Sequence, residues 1–277
     1  MSLTLTLVQT ALVWEDKAAN LAHFDELLAA PEPSDLIVLP EMFTTGFSMN
    51  SASLAEPMSG ESVQWMRRLA IRLERRVTGS LIIRDQDRCV NRLVLMSPDG
   101  SIQFYDKKHL FRMSEENNNY SAGAEPLTVQ INDFTVSFQI CYDLRFPVWL
   151  RNRTGPASSP RHSYDLLLFV ANWPAARREH WRTLLQARAI ENLSYVVGVN
   201  RIGEGNAIDY SGDTLAVDFN GQLLCDLQNR EEVCTVTLDH QPLRQYRNTF
   251  PAWKDADPFD LATAGRNQTL SDTNYSQ

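Results

Sequence analysis

A cysteine stands where an apolar run of the sequence gives way to a charged one. The stretch FQICYDLRF (138–146) places Cys141 directly after the predicted strand FTVSFQI and four residues before Arg145. The carboxyl ends of strands are where α/β sheets usually build their sites, and a nearby cation favours the reactive thiolate. Because a free cysteine is also a common small core residue, this position alone leaves both a chemical and a packing role open.

Two further polar groups accompany predicted strands. Glu41 comes directly after the apolar run DLIVLP, and Lys107 lies in YDKKHLF, where strand alternation sends it to the same face as Tyr105 and His109. Taken singly, Glu41 could equally be a solvent-exposed acid at the end of a strand. The adjacent Lys107 and Lys108 could equally lie on a solvent-exposed strand edge. None of the five histidines lies in a sequence context typical of cysteine proteases, so other partners for Cys141 are sought.

The elements that must position these residues begin in β-α-β-α order. Hydrophobic periodicity predicts strands at 2–10 and 35–42 and helices at 16–30 and 61–76. The second strand is a short continuous apolar run, which is typical of a strand covered on both faces. A sheet with helices packed on it follows from this order.

Closely spaced strands and hairpin signals come next. Asp99-Gly100 and Asn220-Gly221 are dipeptides that tight hairpin turns prefer. The remaining predicted elements are strands at 78–84, 90–97, 101–110, 164–173 and 195–203, and a long helix at 176–194. We therefore predict an α/β fold of two mixed β-sheets packed face to face with helices outside, a four-layer α-β-β-α sandwich.

Composition limits the class of partner. The 277 residues are 43% hydrophobic and 22% charged, which is enough for one large core, and the net charge of -8 disfavours nucleic acid and anionic membranes as partners. The four cysteines lack zinc-ligand spacing and no P-loop is present, so we expect no metal and no cofactor. The first ten residues predict a strand and not a signal peptide, so we expect a cytoplasmic protein with reduced thiols that acts on a small molecule.

Three blocks, LPEMFTTGF, YDKKHLF and ICYDLRFPVW, resemble in this order the signatures of the nitrilase superfamily of carbon-nitrogen hydrolases. Slightly longer matches around them are similar to its bacterial omega-amidase branch. The resemblance implies one carbon-nitrogen hydrolase domain over residues 1–254. It leaves a polar tail at 255–277, expected to be disordered or at an oligomer interface, and a loop at 152–163 that looks longer than the family usually carries.

The roles of individual residues come from this resemblance. It implies a triad of Glu41 as general base, Lys107 as cation and Cys141 as nucleophile. It also implies a second glutamate, which Glu116 matches best and Glu115 matches almost as well. A lysine about 4 Å from the sulfur is worth on the order of 4 kcal/mol, so we expect it to make the thiolate the major form near pH 7.

The resemblance further implies hydrolysis, through a cysteine thioester, of the terminal amide of small 2-oxo dicarboxylic acid monoamides such as 2-oxoglutaramate and 2-oxosuccinamate, by a homodimer. Such a substrate carries a carboxylate, which Arg145 is placed to bind, although a structural role for Arg145 stays equally open. A backbone N–H at Tyr142 is expected to hold the oxyanion. The expected aromatic walls of the pocket are Phe43, Tyr120, Phe146 and Trp173.

Three alternatives remain at this stage. The first two are other branches of the superfamily, a deaminated-glutathione amidase and an N-carbamoyl hydrolase. The third is a catalytically silent scaffold or binding protein on the same fold. The presence of Glu41, Lys107 and Cys141 together argues against the scaffold, because a silent relative is expected to lose at least one of them.

Overall fold

The computed structural model describes residues 2–153 and 162–261. Most of the predicted loop at 152–163 falls outside these ranges, as does the predicted tail beyond residue 261. Within the described ranges no helix combines the length and the apolar composition needed to cross a membrane.

Fourteen strands and seven α-helices make up the described part of the chain. The strands are β1 (Ser2–Gln9), β2 (Leu36–Val38), β3 (Arg76–Asp85), β4 (Arg88–Met96), β5 (Ile102–Asp106), β6 (Leu127–Ile131), β7 (Phe134–Ile140), β8 (Leu166–Val170), β9 (Tyr195–Val199), β10 (Ile202–Gly205), β11 (Ile208–Ser211), β12 (Leu215–Val217), β13 (Leu223–Asp226) and β14 (Glu232–Asp239). The helices are α1 (Lys17–Leu27), α2 (Ser51–Leu54), α3 (Glu61–Leu73), α4 (Glu116–Asn119), α5 (Pro147–Leu150), α6 (Arg178–Asn192) and α7 (His240–Thr249).

The strands form two mixed sheets that share one design. The first sheet has the order β14-β1-β2-β3-β4-β5 and the second the order β13-β12-β9-β8-β7-β6, while β10 and β11 form a separate hairpin. In each sheet three neighbouring strands are parallel, β1 to β3 in the first and β7 to β9 in the second, and the flanking strands are antiparallel. The parallel strands β2, β8 and β9 are buried along their whole length, which explains their continuous apolar sequences.

The core lies between the two sheets and under the helices. In β2, Leu36 and Val38 join the cluster that also holds Phe138 and Ile140 of the second sheet, whereas Ile37 joins Phe24 of α1 and residues of α3 on the outer face. This alternation follows from the two-residue period of a strand. Helix α6 covers the outer face of the second sheet at β9 and β12. The predicted four-layer α-β-β-α sandwich is therefore confirmed.

Two predicted strands end earlier than the sequence pattern suggested. The strand predicted at 35–42 ends at Val38, because Pro40 lacks a backbone N–H and Met42 adopts a left-handed φ of 42°. The strand predicted at 101–110 ends at Asp106. The side-chain alternation predicted beyond that residue therefore does not apply.

A glycine allows helix α6 to approach β9 closely. A Cβ atom at Gly198 would lie 2.6 Å from Cζ2 of Trp181 and 2.7 Å from Cδ1 of Leu185, both of which are fully buried. We predict that Gly198→Val lowers the free energy of unfolding by about 1–3 kcal/mol, because the helix must move off the sheet. Urea unfolding followed by circular dichroism measures this, and Thr183→Val on the exposed side of the same helix serves as the control. Equal stabilities of the two variants would contradict the close packing.

Candidate active site

Four polar residues follow strand ends and meet between the two sheets. Glu41 lies three residues after β2 and Lys107 directly follows β5 in the first sheet, whereas Cys141 directly follows β7 and Asn172 lies two residues after β8 in the second. Glu41 is fully buried and Lys107 exposes 1% of its surface. The structure thus brings together, from both sheets, the three residues that the sequence pointed to.

The Lys107 ammonium is held between two carboxylates. Its Nζ donates to Oε1 of Glu41 at 2.9 Å and lies 3.0 Å from both carboxylate oxygens of Glu116. Asn91 donates through Nδ2 to Oε1 of Glu41 at 2.8 Å and to Oε1 of Glu116 at 3.3 Å. Of the two rival glutamates, the structure places Glu116 in this cluster, whereas Glu115 is exposed with a left-handed φ of 62°.

Asn172 fixes Glu41 from the second sheet. Its backbone N–H donates to Oε2 of Glu41 at 2.7 Å, and its Nδ2 donates to the backbone carbonyl of Glu41 at 2.5 Å. Both carboxylate oxygens of Glu41 therefore have a donor, which a buried carboxylate requires. Sequence reasoning missed Asn172, although its position just after the apolar run LLLFVA was a usable signal.

Cys141 occupies a sharp turn at the end of β7. Its φ is 44°, in the left-handed region that non-glycine residues rarely adopt, and it begins a 3-10 helix over Cys141–Arg145. The Asp143 carboxylate stabilises this turn by accepting the backbone N–H of Ile140 at 3.1 Å. Cys141 as a whole residue is 8% exposed, and it lines a cavity.

The same carboxylate ties the lysine segment to the cysteine turn. Asp143 accepts the hydroxyl of Tyr105 at 2.9 Å and, through Oδ1, the backbone N–H of His109 at 2.9 Å, while Nδ1 of His109 lies 2.7 Å from Oδ1. Tyr105 and His109 flank Lys107, so these contacts fix the lysine and the cysteine relative to each other. Asp143 was also missed by sequence reasoning.

The electrostatics differ from the sequence-based expectation. Burial raises the pKa of the Cys141 thiol well above its ordinary value, and the charge of Glu41 raises it further against the opposing charge of Lys107. Burial alone would lower the pKa of Lys107, but the charges of Glu116 and Glu41 outweigh it and hold this pKa above its usual range. The expectation of a resting thiolate was therefore wrong, because burial, together with the charge of Glu41, outweighs the charge of Lys107 and favours the neutral thiol.

A cavity of about 320 Å³ opens beside the thiol. Lys107, Cys141 and Asn172 all line it, and the hairpin of β10 and β11 supplies part of its wall. The other residues that line it are Phe47, Met49, Phe111, Met113, Ser114, Tyr142, Arg145, Trp173, Pro174, Arg177, Asn206, Ile208 and Tyr210. This volume and this mostly apolar lining suit a small organic molecule.

Three of the residues expected in the pocket line it, namely Tyr142, Arg145 and Trp173. The guanidinium of Arg145 lies 4.7 Å from the ring centroid of Trp173, and its Nη2 lies 3.0 Å from Nδ1 of His180. The indole Nε1 of Trp173 donates to the carbonyl of Arg177 at 2.8 Å. This hydrogen bond fixes the position of the turn that carries Arg177.

The other three aromatic residues do not line the cavity. Phe43 is fully buried under the helices, with its ring centroid 5.4 Å from that of Phe24. Tyr120 is buried and donates its hydroxyl to the carbonyl of Ser48. Phe146 stacks on the ring of His109 at 3.7 Å. The pocket prediction was wrong for Phe43, Tyr120 and Phe146, because these rings turn into neighbouring packing instead of the cavity.

Arg177 is the main pocket residue that sequence reasoning missed. It lies in the 3-10 turn Ala175–Arg177 that opens helix α6, and its guanidinium is 5.2 Å from the ring centroid of Phe111. Burial, followed by the charge of Arg177, lowers the pKa of Arg145. The two arginines therefore act on each other at one wall of the cavity.

Comparison with known proteins places this geometry in a family. The carbon-nitrogen hydrolase family model matches residues 4–248. The chain belongs to the carbon-nitrogen hydrolases. A protein called omega-amidase YafV from Yersinia enterocolitica is 46% identical over 94% of this chain and 99% of its own length. A 2-oxoglutaramate amidase from Bacillus subtilis is 31% identical over 80% of this chain and 85% of its own length.

A solved structure of a carbon-nitrogen hydrolase superfamily protein, XC1258 from Xanthomonas campestris, is similar throughout. It aligns with a TM-score of 0.92 and 44% identity over 95% of this chain and 100% of that one, and it carries an arsenic adduct in its active site. The fold of this carbon-nitrogen hydrolase is thus shared with that structure over nearly its whole length.

The resting thiol gives a testable pH dependence. We predict that alkylation of Cys141 by iodoacetamide has its half-maximal rate above pH 8.5, the approximate pKa of a free cysteine, because burial and Glu41 favour the neutral form. Glu41→Gln removes a negative charge that raises this pKa, so the midpoint shifts downward. Peptide mass spectrometry across a pH series measures the rate at this one cysteine, with Arg84→Gln as a control that leaves the midpoint unchanged. A midpoint near pH 7 in the parent would contradict the assignment.

Proposed function

We propose that this carbon-nitrogen hydrolase is an omega-amidase, which hydrolyses the terminal amide of 2-oxoglutaramate and related 2-oxo dicarboxylic acid monoamides to the acid and ammonia. The names of its relatives, omega-amidase and 2-oxoglutaramate amidase, support this substrate class. The observation that carries the proposal is a small cavity that is lined both by the Cys141 thiol and by two arginines, Arg145 and Arg177.

The arginines fit the carboxylate of such a substrate. In the described part of the chain neither Arg145 nor Arg177 forms an ion pair with a carboxylate, although the other cavity cation, Lys107, forms two. Mutual repulsion and partial burial make an anion between them favourable. Because Cys141 and both arginines line one cavity of about 320 Å³, we propose that a short dicarboxylic monoamide binds with its carboxylate at the arginines and its amide at Cys141.

The first chemical step is the attack of sulfur on the amide carbon. Glu41 takes the thiol proton as the carbon–sulfur bond forms, because the thiol is neutral at rest. The carbonyl oxygen becomes negative and is held by the Lys107 ammonium and by the backbone N–H of Tyr142. Tyr142 lies in the first turn of a 3-10 helix, where backbone N–H groups lack partners within the helix.

Collapse of this intermediate breaks the carbon–nitrogen bond. The protonated Glu41 passes its proton to the leaving nitrogen, ammonia departs, and a thioester remains on Cys141. Glu41, again a carboxylate, then takes a proton from a water molecule while the oxygen of that water attacks the thioester carbon. The acid leaves and the thiol is restored, so Glu41 serves as base twice and as acid twice.

Glu116 has a positioning role in this mechanism. It contacts Lys107 with both oxygens and accepts the backbone N–H of Phe111 at 2.5 Å. It therefore keeps the ammonium charged and aimed at the oxyanion while Glu41 changes its protonation. Burial raises the pKa of Glu116 against the opposing effect of Lys107, so its charge depends on that contact.

We further propose that the protein is a single-domain cytoplasmic enzyme that forms a homodimer. The match to the family model over residues 4–248 supports one catalytic domain at 1–254. The composition supports a cytoplasmic enzyme that needs no cofactor, and the resemblance to the superfamily supports a homodimer. Light scattering tests the assembly, since a mass of twice 31.5 kDa is expected.

Removal of the nucleophile is the first test. We predict that Cys141→Ala keeps the fold and lowers ammonia release from 2-oxoglutaramate by at least about 10⁴-fold, because no thioester can form. Cys89→Ala is the matched control, since Cys89 donates a weak bond to the carbonyl of Ser51 outside the cavity. Equal activities of the two variants would remove the nucleophile assignment.

Removal of an arginine tests the substrate class. We predict that Arg177→Gln lowers kcat/KM for 2-oxoglutaramate by about 10–100-fold, because one charge-assisted hydrogen bond is worth about 1.5–3 kcal/mol. Turnover of an uncharged aliphatic amide should change less than threefold. Arg112→Gln, which removes the same charge from an exposed neighbour of the cavity, controls for long-range electrostatics. Equal losses on both substrates would argue against carboxylate binding.

A substrate panel then separates the branches of the family. Ammonia release is compared among 2-oxoglutaramate, 2-oxosuccinamate, glutamine, asparagine, deaminated glutathione, an N-carbamoyl amino acid and a simple nitrile. The two 2-oxo acids should be fastest. Faster turnover of deaminated glutathione or of the N-carbamoyl compound would assign the enzyme to that other branch, and no turnover of any compound would favour a silent scaffold.

A further inference from the structure

Two cysteines outside the active site lie side by side at the edges of the two sheets. Cys225 belongs to β13, the outer strand of the second sheet, and Cys234 belongs to β14, the outer strand of the first. Their sulfur atoms are 3.1 Å apart. This separation is within about 1 Å of a disulfide bond, whose length is about 2.05 Å.

The pair is open to small reagents. Both side chains are partly exposed, whereas the thiol of Cys141 is buried in the active site. The neighbouring residues Leu223 and Leu224 expose 40% and 45% of their surface. A small molecule can therefore reach the sulfur atoms from solvent without opening the core.

We propose that Cys225 and Cys234 are a redox-active dithiol, which a low-molecular-weight disulfide oxidises to an intramolecular disulfide bond between the two sheets. This site is separate from the amidase chemistry and does not depend on the proposed substrate. Neither cysteine lines the active-site cavity.

The order of the two steps follows from the contact between the sulfur atoms. Either thiol can donate the hydrogen bond between the two sulfur atoms. Donation by Cys225 outweighs burial and lowers the pKa of Cys234 to about 7, so the proposed attacking thiolate is Cys234. It attacks one sulfur of the small disulfide and releases the other as a thiolate. Cys225 then loses its proton to that thiolate and attacks the sulfur of Cys234, which releases the second small thiolate. Two protein thiols are oxidised and one small disulfide is reduced to two thiols.

The bond would link strands that are not neighbours in any sheet. β14 pairs with β1 and β13 pairs with β12, so the disulfide joins the first sheet to the second across their edges. It also closes the segment from Cys225 to Cys234, which restricts the unfolded chain. We expect the oxidised protein to unfold at a temperature roughly 5–10 °C higher than the reduced one.

The experiment uses reduced protein carrying Cys141→Ala, so that the active-site thiol cannot react. It is incubated with oxidised glutathione, alkylated and digested with trypsin without reduction. Cleavage after Arg230 separates the two cysteines, so mass spectrometry should detect two peptides joined through Cys225 and Cys234. The rise in unfolding temperature should be reversed by a thiol reductant.

Two variants complete the test. Cys225→Ser should stop at a stable glutathione adduct on Cys234 and lose the temperature shift, whereas Cys89→Ser should retain both the joined peptides and the shift. Free or separately glutathionylated Cys225 and Cys234 after excess oxidant would overturn the proposal. So would the same temperature shift in the Cys225→Ser variant.

Discussion

The burial of the Lys107 ammonium is the constraint on which the rest of the site depends. Removal of a charged group from water costs several kcal/mol, and only close opposite charges with satisfied hydrogen bonds offset that cost. Glu41 and Glu116 provide the charges, while Asn91 and Asn172 satisfy oxygens that would otherwise lack donors. Because these partners come from separate segments, the lysine can be both buried and charged only when all the segments are in place.

The same arrangement determines how the sulfur reacts. Lys107 alone would favour a thiolate, but burial of the thiol, and then the charge of Glu41, raise the pKa of Cys141 and favour the protonated form. In the proposed mechanism, deprotonation of Cys141 is therefore coupled to its attack on the substrate, with Glu41 as the proton acceptor. The proposed role of Lys107 is stabilisation of the oxyanion.

The apolar pattern of the sequence predicted the layers of the fold, whereas the triad of Glu41, Lys107 and Cys141 came from the resemblance to the nitrilase superfamily. Apolar runs mark buried strands, and Glu41 and Cys141 stand directly after them. The choice between Glu115 and Glu116 could not be made locally, since it depends on a left-handed residue before a short helix. Sequence reasoning also missed Arg177 as a pocket residue and wrongly placed Phe43 and Phe146 in the pocket. The direction in which a side chain points depends on packing against residues that are distant in the sequence, so it could not be predicted locally.

The division of the site between two sheets has a wider consequence. The acid and the ammonium belong to one sheet, and the sulfur belongs to the other. A slip of one layer against the other by a single ångström would spoil the alignment for catalysis while helices and strands stayed intact. Turnover is therefore expected to report the alignment of the two layers even where the helix and strand content is unchanged.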